Sequence, residues 1–100
     1  MLFRSPDRAR ELRLQPGRGI TGWVFRSGRP ARVGDVRSDP RYVMVRENVR
    51  SELAVPLEVR GEIRGVLNVD SDRHEAFTPE DQELLEGLEI GRATSESSHT

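Results

Sequence analysis

The sequence predicts an α+β domain built as an antiparallel β-sheet with flanking helices. Two observations carry this prediction. Residues 51–70 hold two runs in which apolar side chains recur at every second position, and residues 20–27 and 78–91 each place apolar residues at helical spacing between start and stop signals. A chain of 100 residues and 11.3 kDa has room for one such domain. Its Leu, Ile, Val and Phe residues number 25, above the roughly 20% below which a charged chain stays disordered, so a core forms, though a thin one.

The first ten residues are charged and contain Pro6; Leu12 and Leu14 then alternate with Arg13 before Pro16-Gly17 breaks the pattern, which leaves a short strand at most. Ile20, Trp23, Val24 and Phe25 cluster as one helix face, and Gly28 and Pro30 end the segment, so residues 20–27 read as a two-turn helix. Ala31, Val33 and Asp35-Val36 follow as a short strand, and Ser38-Asp39-Pro40 is a turn signal. Residues 41–50 carry Tyr42, Val43, Val45 and Val49 among Arg46, Glu47 and Asn48, and read as a loop or irregular helix over the core. At the other end Thr78 is a favoured N-cap and Pro79 suits the first helical position. Glu80 and Asp81 suit the positive end of the helix dipole, with Asp81 placed as a capping-box partner. Leu84, Leu85 and Leu88 make one apolar stripe up to Gly91, and the small polar residues 93–100 have the composition of a disordered tail.

Residues 51–70 read as a β-hairpin turning at Arg60-Gly61-Glu62. Leu53, Val55, Leu57 and Val59 share one face of the first run; Ile63, Gly65, Leu67 and Val69 alternate with Arg64, Val66, Asn68 and Asp70 on the second. The apolar faces coincide if Val59 pairs with Ile63, Val55 with Leu67 and Leu53 with Val69. Pro56 cannot donate to a ladder and marks an outward-facing nitrogen or a bulge.

Charge and composition narrow the function. The net charge of −1 offers no positive field for nucleic acid or an anionic membrane, and nothing approaches the 18 apolar residues of a membrane span. All 16 cations are Arg, which removes Schiff-base lysines and phosphate-loop lysines. The absence of Cys removes disulfides, Cys-based zinc sites and thiol redox chemistry, and fits a reducing cytoplasm; no secretory signal is visible at the start.

Gly17-Arg18-Gly19-Ile20-Thr21-Gly22 matches a dinucleotide-binding fingerprint, but Pro16 precedes it, the helix is short and the later strands form a hairpin, so the glycines serve turns and close packing. His74 and His99 have no second ligand at metal spacing; the one functional role open to His74 is as a single axial haem ligand. The serines lie at turns and in the tail without a positioned base, so no hydrolytic triad is assembled. The hairpin register supplies a sharper signal, because it sets Glu52 opposite Asp70 on the face shared by Asn68 and Ala54. Two opposed carboxylates either recruit a cationic ligand such as an amine, a guanidinium or a metal, or are neutralised by an arginine such as Arg50 or Arg73.

In order and spacing, a series of segments resembles GAF domains, the small-molecule sensor modules of bacterial signalling proteins. They are Gly19-Ile20-Thr21-Gly22-Trp23-Val24, Ser27-Gly28-Arg29-Pro30, Asp35-Val36 through Asp39-Pro40-Arg41-Tyr42, Arg50-Ser51-Glu52-Leu53-Ala54-Val55-Pro56-Leu57, Gly65-Val66-Leu67-Asn68-Val69-Asp70-Ser71 and Phe77-Thr78-Pro79-Glu80-Asp81. The resemblance implies a GAF-like fold, related to profilin-like and PAS folds: a central antiparallel sheet with helices on one face and, on the other, a pocket covered by residues 38–50, which Glu52, Asn68 and Asp70 would face. It also implies a long helix and one or two strands ahead of the glycine turn, where only residues 1–16 stand here. The expected organisation is therefore a remnant over 1–16, a partial domain truncated at its N-terminus over 17–91, and a disordered tail over 92–100. A hairpin left without a sheet neighbour or covering helix would expose an edge that favours dimerisation. The bilin-binding and sulfoxide-reducing branches of the family need a Cys that this chain lacks. The cyclic-nucleotide branch carries an Asn-Lys-Phe-Asp-Glu signature of which only the Phe77 to Asp81 spacing survives.

The resulting expectation is a non-catalytic, cytoplasmic sensor that binds a small molecule between the sheet and the 38–50 loop and relays its state to a signalling partner. Asp39, Tyr42, Glu52, Asn68 and Asp70 are its polar contacts and Trp23 supports the core. No cofactor or metal is expected; the partners are the small molecule and a second copy of the chain, with no nucleic acid and no membrane. The rival expectation is a structural or dimerisation unit, or a gene fragment, whose acids are closed off by arginine.

Overall fold

The chain runs through strand β1 (Glu11–Leu14), helix α1 (Gly19–Ser27), strand β2 (Ala31–Val33), strand β3 (Ser51–Val59), strand β4 (Glu62–Ser71) and helix α2 (Pro79–Glu86). This computed structural model describes residues 11–14, 18–44 and 48–88. The four strands form one sheet in the order β1-β4-β3-β2, with every neighbouring pair antiparallel.

The hairpin β3–β4 is the frame. Arg60 and Gly61 form its two-residue turn with φ of 54° and 83°, the pair of positive angles that matches the twist of the flanking strands. Glu52 pairs with Asp70, Leu53 with Val69 and Val55 with Leu67, as the alternation predicts. Beyond Leu57 the register slips, so that Glu58 faces Ile63 and Val59 faces Glu62, in place of the expected Val59 to Ile63 pair. Pro56 itself stays in register with Val66, and the irregularity follows one residue later.

Neighbours cover both sides of the hairpin, which corrects the expectation of an open edge. β1 pairs along β4 from Glu11 with Asp70 to Leu14 with Leu67, and β2 pairs along β3 from Ala31 with Ala54 to Val33 with Glu52. The Leu12–Leu14 segment is thus long enough to act as an edge strand. β2 stops at Val33, sooner than the sequence suggests, because Asp35 turns its carboxylate back onto the chain. It accepts hydrogen bonds from the Arg37 backbone N (3.1 Å) and the Ser38 hydroxyl (3.0 Å), and so caps one 3₁₀ turn over Val36–Ser38.

Helices lie on both faces of the sheet, where the family resemblance implied one. Against one face α1 sets Ile20 and Val24 onto Ala54 and Val66, with Val36 and Val49 closing the cluster and Trp23 and Tyr42 partly buried beside it. Against the other, Leu85 of α2 and Phe77 pack on Leu53, Val55 and Val69. α1 ends where Gly28 takes φ 71°, the left-handed conformation that closes helices. α2 opens with the anticipated capping box: the Thr78 hydroxyl accepts from the Asp81 backbone N at 3.1 Å, and the Asp81 carboxylate accepts from the Thr78 backbone N at 2.9 Å. The apolar stripe expected on α2 does not form. The helix ends at Glu86 with Leu85 fully buried and Leu84 and Leu88 about half exposed, since adjacent residues point about 100° apart and Leu88 lies past the last turn. The remnant's first ten residues and the tail beyond Leu88 lie outside the described residues.

Candidate ligand-binding site

The strand alternation of β3 and β4 puts Leu53, Val55, Leu67 and Val69 toward α2, and therefore Glu52, Asn68 and Asp70 toward α1 and the loop after β2. Glu52 and Asp70 face each other across the ladder, with Asn68 one row along beside Ala54. All three are buried, Glu52 with 7%, Asn68 with 6% and Asp70 with 5% of its surface exposed. Opposed carboxylates taken out of water repel, and a carboxylate carries only acceptors.

The Asn68 amide nitrogen donates to Glu52 Oε2 at 3.2 Å. This fixes the amide's orientation, since the reverse would set a carbonyl oxygen against an ionised carboxylate. The amide oxygen Oδ1 then points elsewhere, and it is buried with no hydrogen-bond partner. Such an orphaned acceptor costs about 1–3 kcal/mol.

The loop after β2 brings a cation to this face. Arg41 donates from Nε to Asp39 Oδ1 (2.9 Å) and from Nη2 to Asp39 Oδ2 (2.6 Å), while Asp39 Oδ1 also accepts from the Arg41 backbone N (2.8 Å). The guanidinium lies 4.4 Å from the centroid of the Trp23 ring, a stacked cation–π contact. The hydrogen bond from Arg41 holds the Asp39 carboxyl below the usual carboxylate range, against the opposing pull of burial. Arg41 is pushed up by Asp39, first through the hydrogen bond and then through its charge, and further by the charge of Glu52.

Gly19 lets this loop dock. It has φ 72°, and a Cβ there would lie 3.3 Å from the Val43 backbone N and 3.4 Å from the Arg41 backbone O. The fingerprint-like glycines thus serve close packing at Gly19, and the strand that follows α1 is an antiparallel edge, not the parallel crossover a dinucleotide site needs.

Of the five site residues expected from the sequence, Glu52, Asn68 and Asp70 converge. Asp39 is committed to Arg41, and Tyr42 packs beside the α1 cluster with its backbone N on the Asp39 carbonyl (3.1 Å). Sequence reasoning looked to Arg50, Arg73 or another of the arginines for the counter-charge, and Arg41 is one whose charge couples to Glu52. It also gave Trp23 only a core role. The missed signal is local: an Asp two residues ahead of an Arg is the spacing at which a carboxylate folds back on its own backbone. His74 is exposed, with Nε2 3.8 Å from Asp35 Oδ1.

Compared with known proteins, the chain matches the GAF domain family model over residues 3–89. The chain belongs to the GAF family. This GAF domain is 32% identical over 74 residues to protein YtsP of Bacillus subtilis, covering 74% of this chain and 45% of YtsP. It is 32% identical over 77 residues to the free methionine-R-sulfoxide reductase of Escherichia coli, covering 77% of this chain and 47% of the reductase. Among solved structures it resembles free methionine-R-sulfoxide reductase from Neisseria meningitidis in complex with its substrate, with a TM-score of 0.67 and 34% identity over 82% of this chain and 52% of that one. The domain thus spans about half the length of the relatives it matches.

These relatives overturn the expectation that the chain has no part in catalysis. Reductases stand among its similar proteins in both sequence and fold. The expectation failed because a missing Cys removes one nucleophile and says nothing of the residues that hold a substrate. Among the described residues, no helix of the GAF domain is long and apolar enough to cross a membrane.

Proposed function

We propose that this GAF domain binds a free amino acid of the methionine sulfoxide class, with the ligand's ammonium group held between Glu52 and Asp70. The observation that supports the reading most is the facing pair of buried carboxylates beside an amide oxygen with no partner. An ammonium brings one positive charge and three N–H donors, the complement of two carboxylates that carry only acceptors. Relatives whose names specify free methionine sulfoxide act on a molecule with that group. Trp23 and Tyr42, both partly buried, offer aromatic surface for an apolar side chain.

The role assigned to these residues is binding and orientation. The 100 residues contain no Cys, so reduction of a sulfoxide held here takes its two electrons from thiols outside them. A sensory use of the same binding event has its own support. β3 turns Glu52 toward the ligand and Leu53 toward α2, so a shift of the strand on binding reaches the packing of Leu85 directly.

Calorimetric titration of the full chain with L-methionine sulfoxide tests the reading. The wild type is expected to bind, and Glu52→Gln to weaken binding about 10-fold to 100-fold, the worth of one hydrogen bond to a charged group. Asp70→Asn should act in the same direction. A wild type that takes up no L-methionine sulfoxide, or a Glu52→Gln variant that binds as tightly as the wild type, overturns it.

A further inference from the structure

Four large apolar side chains stand exposed among the described residues, and they form two pairs. Leu84 and Leu88, four residues apart on the outer side of α2, are each nearly half exposed; Val43 and Met44, neighbours in the loop after β2, are 45% and 60% exposed. Apolar residues scattered singly are ordinary on a surface, whereas adjacent ones make a patch. The two patches lie on opposite sides of the molecule. α2 packs on the sheet face of Leu53, Val55 and Val69, while Val43 rests against Gly19 at the start of α1, which packs on the face of Ala54 and Val66.

Their surroundings carry opposite charge. Residues 79–88 hold Glu80, Asp81, Glu83 and Glu86 and no cation. Asp81 turns inward to the capping box, and Glu80 and Glu83 stand exposed on either side of it, ahead of Leu84. The Arg32 guanidinium, on the same side of the sheet, is engaged by the Phe77 carbonyl (3.5 Å) ahead of the helix. Residues 18–30 hold Arg18, Arg26 and Arg29, all exposed, and no acid. Arg18 directly precedes the Gly19 on which Val43 rests. A second copy of the chain therefore carries the complement of each patch.

We infer that the outer side of α2 docks on the start of α1 and the Val43–Met44 loop of a second copy, head to tail, with Leu84 and Leu88 against Val43 and Met44 and the α2 acids toward the α1 arginines.

The placement of the patches decides the kind of assembly. A copy docked through one patch keeps the other on its far side, so the contact is heterologous and propagates instead of closing as a symmetric pair. Apolar contact supplies the attraction, and the exposed charges supply direction, because the alternative of α2 against α2 sets acids against acids. A contact centred on two side chains from each copy belongs at the small, transient end of protein interfaces, so association is expected only at high chain concentration.

Sedimentation velocity of the full chain without added ligand, from about 10 μM to about 1 mM, tests this. The wild type is expected to grow in average mass with concentration, past two copies, and to return toward monomer when salt rises from about 0.05 M to about 0.5 M, since screening weakens the charge pairing. Leu84→Ser with Leu88→Ser removes one patch, and Val43→Ser with Met44→Ser removes the other; circular dichroism checks that both variants keep the fold. Each variant alone is expected to stay monomeric. Mixed in equal amounts they should form a one-to-one dimer that grows no further, because each supplies the patch the other has lost. A wild type that stays monomeric to about 1 mM overturns the inference and leaves the α2 patch to a partner other than this chain. Growth that stops at two copies, or a mixture of the variants that stays monomeric, means that like patches pair, and overturns it as well. Association that salt leaves unchanged also sinks it, since the charges then set no direction.

Discussion

The two faces of the sheet bury polar groups by opposite rules. On the α2 side, Ser51 and Ser71 are wholly buried and both are satisfied. The Ser51 hydroxyl donates to the Arg73 carbonyl at 2.6 Å and accepts from the Ala76 backbone N at 3.4 Å, and the Ser71 hydroxyl accepts from the Arg73 backbone N at 3.1 Å. Around them the face is closed with Leu53, Val55, Val69, Phe77 and Leu85. On the α1 side, two carboxylates oppose each other and an amide oxygen goes unpaired, within the same two strands. Strand pairing is shared by both faces, so the backbone is not what separates them. An unpaired buried acceptor adds nothing to stability, so the contrast sets the α2 face, where Ser51 and Ser71 are paired, apart from the α1 face, where the Asn68 oxygen is not.

The most direct way to break this comparison is to remove packing from the α2 face. Leu53 is fully buried between β4 and α2. Leu53→Ala is expected to lower unfolding free energy by about 2–5 kcal/mol, a large share of the 5–15 kcal/mol typical of small domains. Urea denaturation followed by circular dichroism checks it. A loss under about 1 kcal/mol would mean that this face is not the one that holds the fold.

A smaller effect sharpens the same contrast at the edge of that face. Leu85 reaches the sheet because α2 starts where the capping box places it, with both hydrogen bonds between Thr78 and Asp81 formed. Thr78→Ala leaves the Asp81 backbone N without its acceptor and is expected to cost about 1 kcal/mol, read in the same denaturation curves. Ligand affinity on the opposite face should change little, because the Thr78–Asp81 pair and the Glu52–Asn68 pair share no hydrogen bond.

How much of this could be read from the sequence depends on the range of the interactions. The cap of α2, the Gly28 stop of α1 and the Glu52 to Asp70 pairing are local or set by period-2 alternation, and each was legible. The slip at Leu57 was not, because one extra residue in a ladder leaves no mark in the apolar pattern beyond a nearby Pro. Leu84 was misplaced because α2 turns Asp81 and Leu85, four residues apart, into the protein and leaves Leu84 about 100° off that face. Arg41 was missed because 16 arginines look alike in sequence. What singles it out is the ring of Trp23, on an element separated from it by a strand and a turn.

The smallest expected effect concerns the clamp that holds Arg41 over Trp23 on the α1 face, and it separates the two faces by pH. Asp39 titrates below its ordinary value, mainly through the hydrogen bond from Arg41, so the folded state favours its ionised form. A carboxyl lowered in this way stabilises the fold fully above the unfolded value of about 3.9, and the contribution is lost as pH falls through the lower folded value. The pair is partly exposed, with 30% of Arg41 and 13% of Asp39 accessible, so the effect is modest and weakens with salt. Trp23 reports it, since its ring carries the guanidinium that Asp39 fixes. Acid titration of the wild type should change Trp23 emission with a midpoint below about 4 while far-ultraviolet dichroism is still native. In Asp39→Asn that transition should be absent, with the Arg41 stack already loosened at neutral pH. If emission and dichroism change together at one pH in both proteins, the clamp has no transition of its own, and the α1 face is as rigidly part of the fold as the α2 face.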